Sequence, residues 1–342
     1  MASGRAIEKE IEKIASALGR TVPLELVAAA AQLGRSAWPE MVERWSRLTP
    51  TGFPIELTVT DADPILRWTT EIAGPEIVDA HRLDLVAMRL ASAGQPVSPP
   101  LLEALQAAQR GRDLQYGAWL GGRAIDDTQS RFKLYGEIPA GVSCHKIPLP
   151  PTLREAIAHA PDGTLPRMIG VEPARRRIEL YLRLPTLDLD DLRPLLSAAG
   201  HAQGSDVIER SLPDGKRRLA GRRLGISLAV GEAEAIEVAL FVSARSLFPA
   251  APEMLRGLIP AIASVPETLA RLTLVTLGLK SEGGGVSFAV GVTSVPTRPS
   301  NTVGPRSSRR PLAGILNQVM NSQGPCDSGA SVLLPDETTH WG

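Results

Sequence analysis

GFPIELTVTDADPILRWTTEIAGPE, residues 52–76, marks a change of period in the chain. Upstream, apolar residues recur every three to four positions; here they recur every two. Ile55, Leu57 and Val59 fall on one side of an extended chain and Glu56, Thr58 and Thr60 on the other, because successive strand side chains point to opposite faces. Leu66, Trp68 and Ile72 likewise oppose Arg67, Thr69 and Glu71, and DADP, 61–64, supplies turn residues between the runs. The stretch reads as a β-hairpin, 54–60 with 65–72, apolar on one face only. Its other face carries a glutamate and an arginine, which need partners, water or a task.

The same pattern recurs. Strand pairs fit 117–125 with 130–138 around DDTQ, 166–173 with 176–184, 224–230 with 235–243 around GEAE, and 272–280 with 285–293 around EGGG. Helical spacing fills the intervals: Ile7, Ile11, Ile14 and Leu18, with Ser3 placed to cap and Gly19 to stop, then 24–35, 39–48, 75–93, 98–110, 151–160, 188–199, 204–211, 252–264 and 266–271. Five hairpins separated by helices form an architectural repeat without repeated letters. Phe132, Leu134 and Ile138 oppose Lys133, Tyr135 and Glu137. Ile178, Leu180, Leu182 and Leu184 oppose Arg177, Glu179, Tyr181 and Arg183. Ile236, Val238, Leu240 and Val242 oppose Glu237, Ala239, Phe241 and Ser243. An open sheet with helices on one side and water on the other satisfies this phase. Ten strands, however, are near the limit for an open twisted sheet, and closure removes both edges. The expected fold is α+β: a ten-stranded antiparallel β-barrel of five hairpins inside a ring of helices, with a wet, polar lumen large enough for ligands.

Composition narrows the function classes. Lys plus Arg equals Asp plus Glu at 37 each, so no global field favours nucleic acid or an anionic membrane. The cysteines, Cys144 and Cys326, are too few for a disulfide framework. The charged start, MASGRAIEKEIEKIASALG, is unlike a signal peptide, and no run approaches a membrane span, so a soluble cytoplasmic protein is expected. LDLDDLRP, 187–194, suits a helix N-terminus better than a metal motif, and GKRRLAGRRLG, 215–225, reads as a solvated basic loop. His145 beside Cys144 has no visible third member of a nucleophilic triad, and His81 and His159 receive no role. Residues 1–295 form the expected barrel domain, and 296–342, rich in Pro, Ser and Gly, a separate mobile tail.

On the residues alone, two sets of readings stay open. Glu56 can be a salt-bridged strand residue with Arg67 its partner across the hairpin. Lys133 and Tyr135 can form an exposed face, and Arg177, after Arg175 and Arg176, a solvated turn. Against these stands a resemblance. GFPIELT with LRWTTEI, FKLYGEIPAG and RRIELYLRLP, in that order over roughly residues 40–293, resemble the motifs of the ABBA, or prenyltransferase-barrel, aromatic prenyltransferases, and the dimethylallyltryptophan-synthase branch in particular.

The resemblance implies a metal-independent transfer of an allylic prenyl group, such as dimethylallyl, from its diphosphate to an aromatic acceptor: an indole or tryptophan derivative, or a peptide side chain. No cofactor is expected, and neither nucleic acid nor membrane as partner. It implies Glu56 as the base, Arg67, Lys133 and Arg177 as diphosphate ligands, and Tyr135, Tyr181 and the ring of Phe241 as a shield for the allylic cation. The sequence departs from the pattern at Glu179, where the family has lysine, and at Ala239 and Phe241, where it has a donor and a tyrosine. Ser287, Ala289 and Gly291 stand where the last strand would offer tyrosine. Arg183, in phase with Tyr181, is a candidate to restore charge, and the smaller residues imply room for a longer prenyl chain or a bulky acceptor. The alternative is a catalytically degenerate barrel that binds a ligand or partner.

Overall fold

The computed structural model describes residues 4–33, 45–61, 63, 65–125, 130–185, 188–212, 214, 219–222, 224–248, 252–280 and 285–295. The DDTQ turn, residues 215–218 and 223 of the basic stretch, Ser3, the 39–44 part of one expected helix and the tail from 296 lie outside the described residues.

Ten strands form one closed antiparallel barrel: β1 Ile55–Thr60, β2 Arg67–Glu71, β3 Ala118–Ala124, β4 Ser130–Glu137, β5 Leu165–Glu172, β6 Arg177–Arg183, β7 Gly225–Val230, β8 Ile236–Ser243, β9 Ala270–Leu279 and β10 Val286–Ser294. Each pairs with its neighbours in sequence, and β10 returns to β1 with Leu57 opposite Val292 and Thr60 opposite Ala289. The expected hairpins and their phases are all present. Around the barrel lie α1 Gly4–Ala17, α2 Leu24–Leu33, α3 Asp79–Ser92, α4 Pro99–Gln109, α5 Pro151–Ile157, α6 Arg193–Ala198 and α7 Gly204–Ser211, with two short helices, Ala244–Leu247 and Pro252–Leu258. No described helix is long and apolar enough to cross a membrane.

The apolar strand faces and the helices share one core. Ile7, Ile11 and Ile14 of α1 are as buried as Ile55, Leu57 and Val59 of β1 in the same cluster. Gly19 ends the first helix in the left-handed region at φ +64°, and the Arg20 N–H reaches back to the Ala15 carbonyl at 2.8 Å. Several helices differ from expectation. Residues 45–48 are not helical, and the 151–160 and 252–264 helices stop at Ile157 and Leu258. Residues 266–271 are not a helix: Pro266 starts a single turn, and β9 begins at Ala270, where pairing with β10 outweighs local propensity.

A second, smaller cluster lies inside. Leu48, Tyr116, Trp119 and Met168 plug the end of the lumen where β1, β3 and β5 begin, with Tyr135 and Tyr181 packed on them. Tyr116 stacks on Trp119 with centroids 3.9 Å apart. A backbone knot fixes that floor. The Glu137 carboxylate accepts the N–H groups of Gln115, Tyr116 and Gly117 at 2.8–3.0 Å, and the Gln109 amide donates to the Gly117 and Glu137 carbonyls at 2.8 and 2.9 Å. Gly117 sits at φ +66°, where an added Cβ would lie 1.9 Å from the Asp79 carbonyl oxygen. Gly117→Ala therefore combines backbone strain with a clash against fixed main chain, and should destabilise the protein by about 3 kcal/mol or more. Gly111→Ala, at φ +67° but in open space, should cost about 1 kcal/mol. Urea unfolding of both variants tests this; equal losses would show that the knot does not constrain the floor.

Candidate active site

The polar strand faces enclose a cavity of about 960 Å³, at the upper end of the range for small-molecule sites and large enough for two ligands. Ala174, Arg175, Gly231, Glu232 and Ala233 of the hairpin turns line it, so it opens at the turn end, opposite the aromatic floor. Along β4, Arg131, Lys133 and Tyr135 descend from mouth to floor, about 7 Å per step.

Small residues make the lumen deep enough for its own large ones. A Cβ on Gly121 would lie 2.6 Å from the Tyr135 ring, one on Gly170 2.4 Å from Lys133 Cε, and one on Gly291 2.1 Å from Thr273 Oγ1 and 2.7 Å from Glu56 Cδ. The space beside Gly291 thus belongs to the Glu56–Thr273 pair, which corrects the expectation of free room there. Ala239, Ser287 and Ala289 do line the cavity.

Near the floor end of β1, Glu56 is 6% exposed and accepts a 2.5 Å hydrogen bond from the Thr273 hydroxyl. Burial raises its pKa from the usual 4.5 to about 7, and the Thr273 bond only partly offsets this. Arg67 is not its partner. That side chain sits 44% exposed at the mouth, 3.8 Å from Asp63.

Between mouth and floor, Lys133 Nζ donates to Glu179 and, at 3.0 Å, to the Tyr181 hydroxyl, and lies 4.8 Å and 5.3 Å from the Tyr135 and Tyr181 ring centroids. Arg177 donates to Glu179 at 2.7 Å and to Glu237 at 2.8 Å. Burial opposes ionisation of Glu179, but the charges of Lys133 and Arg177 hold its carboxyl far below the usual range. Burial and then the Glu179 charge raise the Tyr181 phenol well above its usual value, so it remains neutral. Tyr135, Tyr181 and Phe241 form a continuous aromatic wall, with successive centroids 5.9 and 5.5 Å apart.

The structure thus places Glu56, Arg67, Lys133, Arg177, Tyr135, Tyr181 and Phe241 around one cavity, while Arg183 does not line it. Sequence reasoning passed over Trp119, Arg123 and Arg131, although alternation along AWLGGRA and SRFKLYGE puts them in the lumen phase. Thr273 had no such signal: the β9–β10 register shifts between Val290 and Val292, which breaks the period of two. Among the described residues no group of three or more His, Cys, Asp or Glu gathers as a metal site.

No family model matches the chain, and no curated protein matches it in sequence. Solved structures do. A 6-dimethylallyltryptophan synthase from Micromonospora olivasterospora, solved with DMASPP and Trp, superposes with a TM-score of 0.64 at 19% identity over 85% of this chain and 97% of that one. A 5-dimethylallyl tryptophan synthase from Streptomyces coelicolor gives 0.58 at 14% identity over 87% and 97%. AnaPT from Neosartorya fischeri gives 0.54 at 14% identity over 86% and 95%. The fold is the ABBA, or prenyltransferase, barrel.

Glu56 sets a pH-dependent penalty on stability. Its carboxyl is neutral in folded and unfolded chains below about pH 4.5; between there and pH 7 only the unfolded chain ionises, so stability falls as pH rises. Relative to wild type, Glu56→Gln should gain by up to about 3 kcal/mol between pH 4 and pH 8, read from melting curves. A difference that stays constant across that range would place Glu56 in a wetter setting.

Proposed function

We propose that the protein is a metal-independent aromatic prenyltransferase, transferring an allylic group to an electron-rich arene such as an indole or tryptophan derivative or an aromatic peptide side chain. The observation that carries this reading is the buried Glu56 carboxyl, with a pKa of about 7, at the deep end of a chamber whose open half is cationic and whose wall is aromatic. The shared barrel of the dimethylallyltryptophan synthases supports it at the level of fold.

Each part of the chamber suits one step. Departure of the diphosphate breaks the allylic C–O bond and leaves the electron pair on a phosphate oxygen, where arginine and lysine donors stabilise the growing charge. The allylic cation left behind is attracted to the faces of Tyr135, Tyr181 and Phe241, which also exclude water. The arene π electrons form the new C–C bond, and the ring proton passes to the Glu56 carboxylate, restoring aromaticity. Among the described residues, Arg67, Arg123, Arg131, Lys133, Arg175, Arg177 and Lys280 line the cavity against Glu56, Glu172, Glu179, Glu232 and Glu237, an excess of positive groups. The cations themselves can neutralise the leaving group.

The salt bridges of Glu179 to both Lys133 and Arg177 favour a second reading, a barrel that binds without turning over. Turnover decides between them. Incubation with dimethylallyl or geranyl diphosphate and tryptophan, cyclic dipeptides or aromatic peptides should give a prenyl mass increment; binding without product would establish the second reading. The rate should rise with pH to a plateau above about 7 as Glu56 ionises. Glu56→Gln should slow transfer roughly 100-fold or more with donor affinity nearly unchanged, and equal rates would remove Glu56 from the mechanism. Tyr181→Ala should raise the ratio of prenyl alcohol to transfer product roughly several-fold by admitting water to the cation; an unchanged ratio would deny it the shielding role.

A further inference from the structure

Resting on that reading, we infer that the donor diphosphate is seated at the barrel mouth, on the arginine row Arg67, Arg123 and Arg131, rather than on Lys133 and Arg177 deeper in the lumen. These three arginines lie directly opposite one another on adjacent strands, Arg67 against Arg123 and Arg123 against Arg131, and all line the cavity. Like charges directly opposed across strands are destabilising. Such a row is kept at a cost unless an anion uses it.

Among the described residues, carboxylates satisfy the row only in part. Asp63 is shared between Arg123 and Arg67, lying 3.8 Å from the latter, and Glu172 lies 3.6 Å from Arg131 Nε, too far for a hydrogen bond. The Nε groups of Arg123 and Arg131 are buried and have no hydrogen-bond partner among the described residues. Buried donors without acceptors are costly, and guanidinium forks match phosphate oxygens in a bidentate manner.

Deeper in the lumen the situation is reversed. Lys133 is bonded to Glu179, and Arg177 is bonded to Glu179 and Glu237, leaving only its Nε unpartnered. A diphosphate arriving there would face the Glu179 carboxylate. The Lys133–Glu179 pair and its tyrosines are thereby left to contact the organic part of the ligands.

Calorimetric titration of the full chain with inorganic pyrophosphate, then with dimethylallyl diphosphate, tests the seat. Arg123→Gln and Arg131→Gln should each weaken pyrophosphate binding about tenfold or more, and Lys133→Gln by less than about threefold. Glu172→Gln, which removes a competing carboxylate, should tighten it about threefold, a gain that misfolding cannot imitate. Wild-type affinity in both arginine variants, with loss in Lys133→Gln, would overturn the mouth seat and leave the prenyltransferase reading standing. An affinity in Glu172→Gln no tighter than wild type would also overturn the seat. Failure of the wild-type chain to bind either probe would overturn both readings.

Discussion

Pairing of β1 with β10 is the constraint on which the rest of the molecule depends. It places Thr58 beside Gly291 and Thr60 beside Ala289, and so turns the polar faces of five hairpins into the wall of one chamber. In an open sheet those faces would meet bulk water. Glu56 would titrate as an ordinary carboxylate, and the Lys133–Glu179–Arg177 network would be worth little in high dielectric. Closure supplies the desolvation that raises Glu56 and gives the internal ion pairs their strength.

A closed lumen must also be hollowed. Glycines at 121, 170 and 291 accommodate Tyr135, Lys133 and the Glu56–Thr273 pair, so close approach at small residues is what allows large functional ones to point inward. The floor is built separately, from the loop at Gln115–Gly117 that Glu137 gathers through its carboxylate. Glu71 and Arg82 brace the same end with a buried 2.8 Å ion pair, to which Ser46 adds a 2.6 Å hydrogen bond. The interior charge pattern follows from this economy of space: one buried carboxylate, Glu179, is stable only because two cations face it, and those cations are then no longer free for an anion.

Much of this was legible in the sequence, for a definite reason. A strand covered on one face alternates at period two, and five such pairs in one phase leave few ways to assemble, so Glu56, Lys133, Tyr135, Tyr181 and Phe241 could be assigned to a shared lumen before any coordinates. The exceptions arise where a local rule gives way to tertiary pairing. The helix expected at 266–271 yields to the start of β9, and the bulge in the β9–β10 ladder turns Thr273 inward against the simple alternation. Partners across the barrel were invisible as well: nothing in the letters around Glu179 reveals Lys133, 46 residues away, as its counter-ion, or Asp63, 60 residues from Arg123, as the acid of the mouth row.

The account stands on one chamber serving both ligands. A crystal structure of the complex with an unreactive allylic thiolodiphosphate and an indole acceptor tests it most directly. The account predicts both molecules inside the barrel, the allylic chain against Tyr181 and the indole N–H within hydrogen-bond distance of Glu56. An acceptor bound on the outer surface, or seated in the lumen with Glu56 turned away from it, would contradict it.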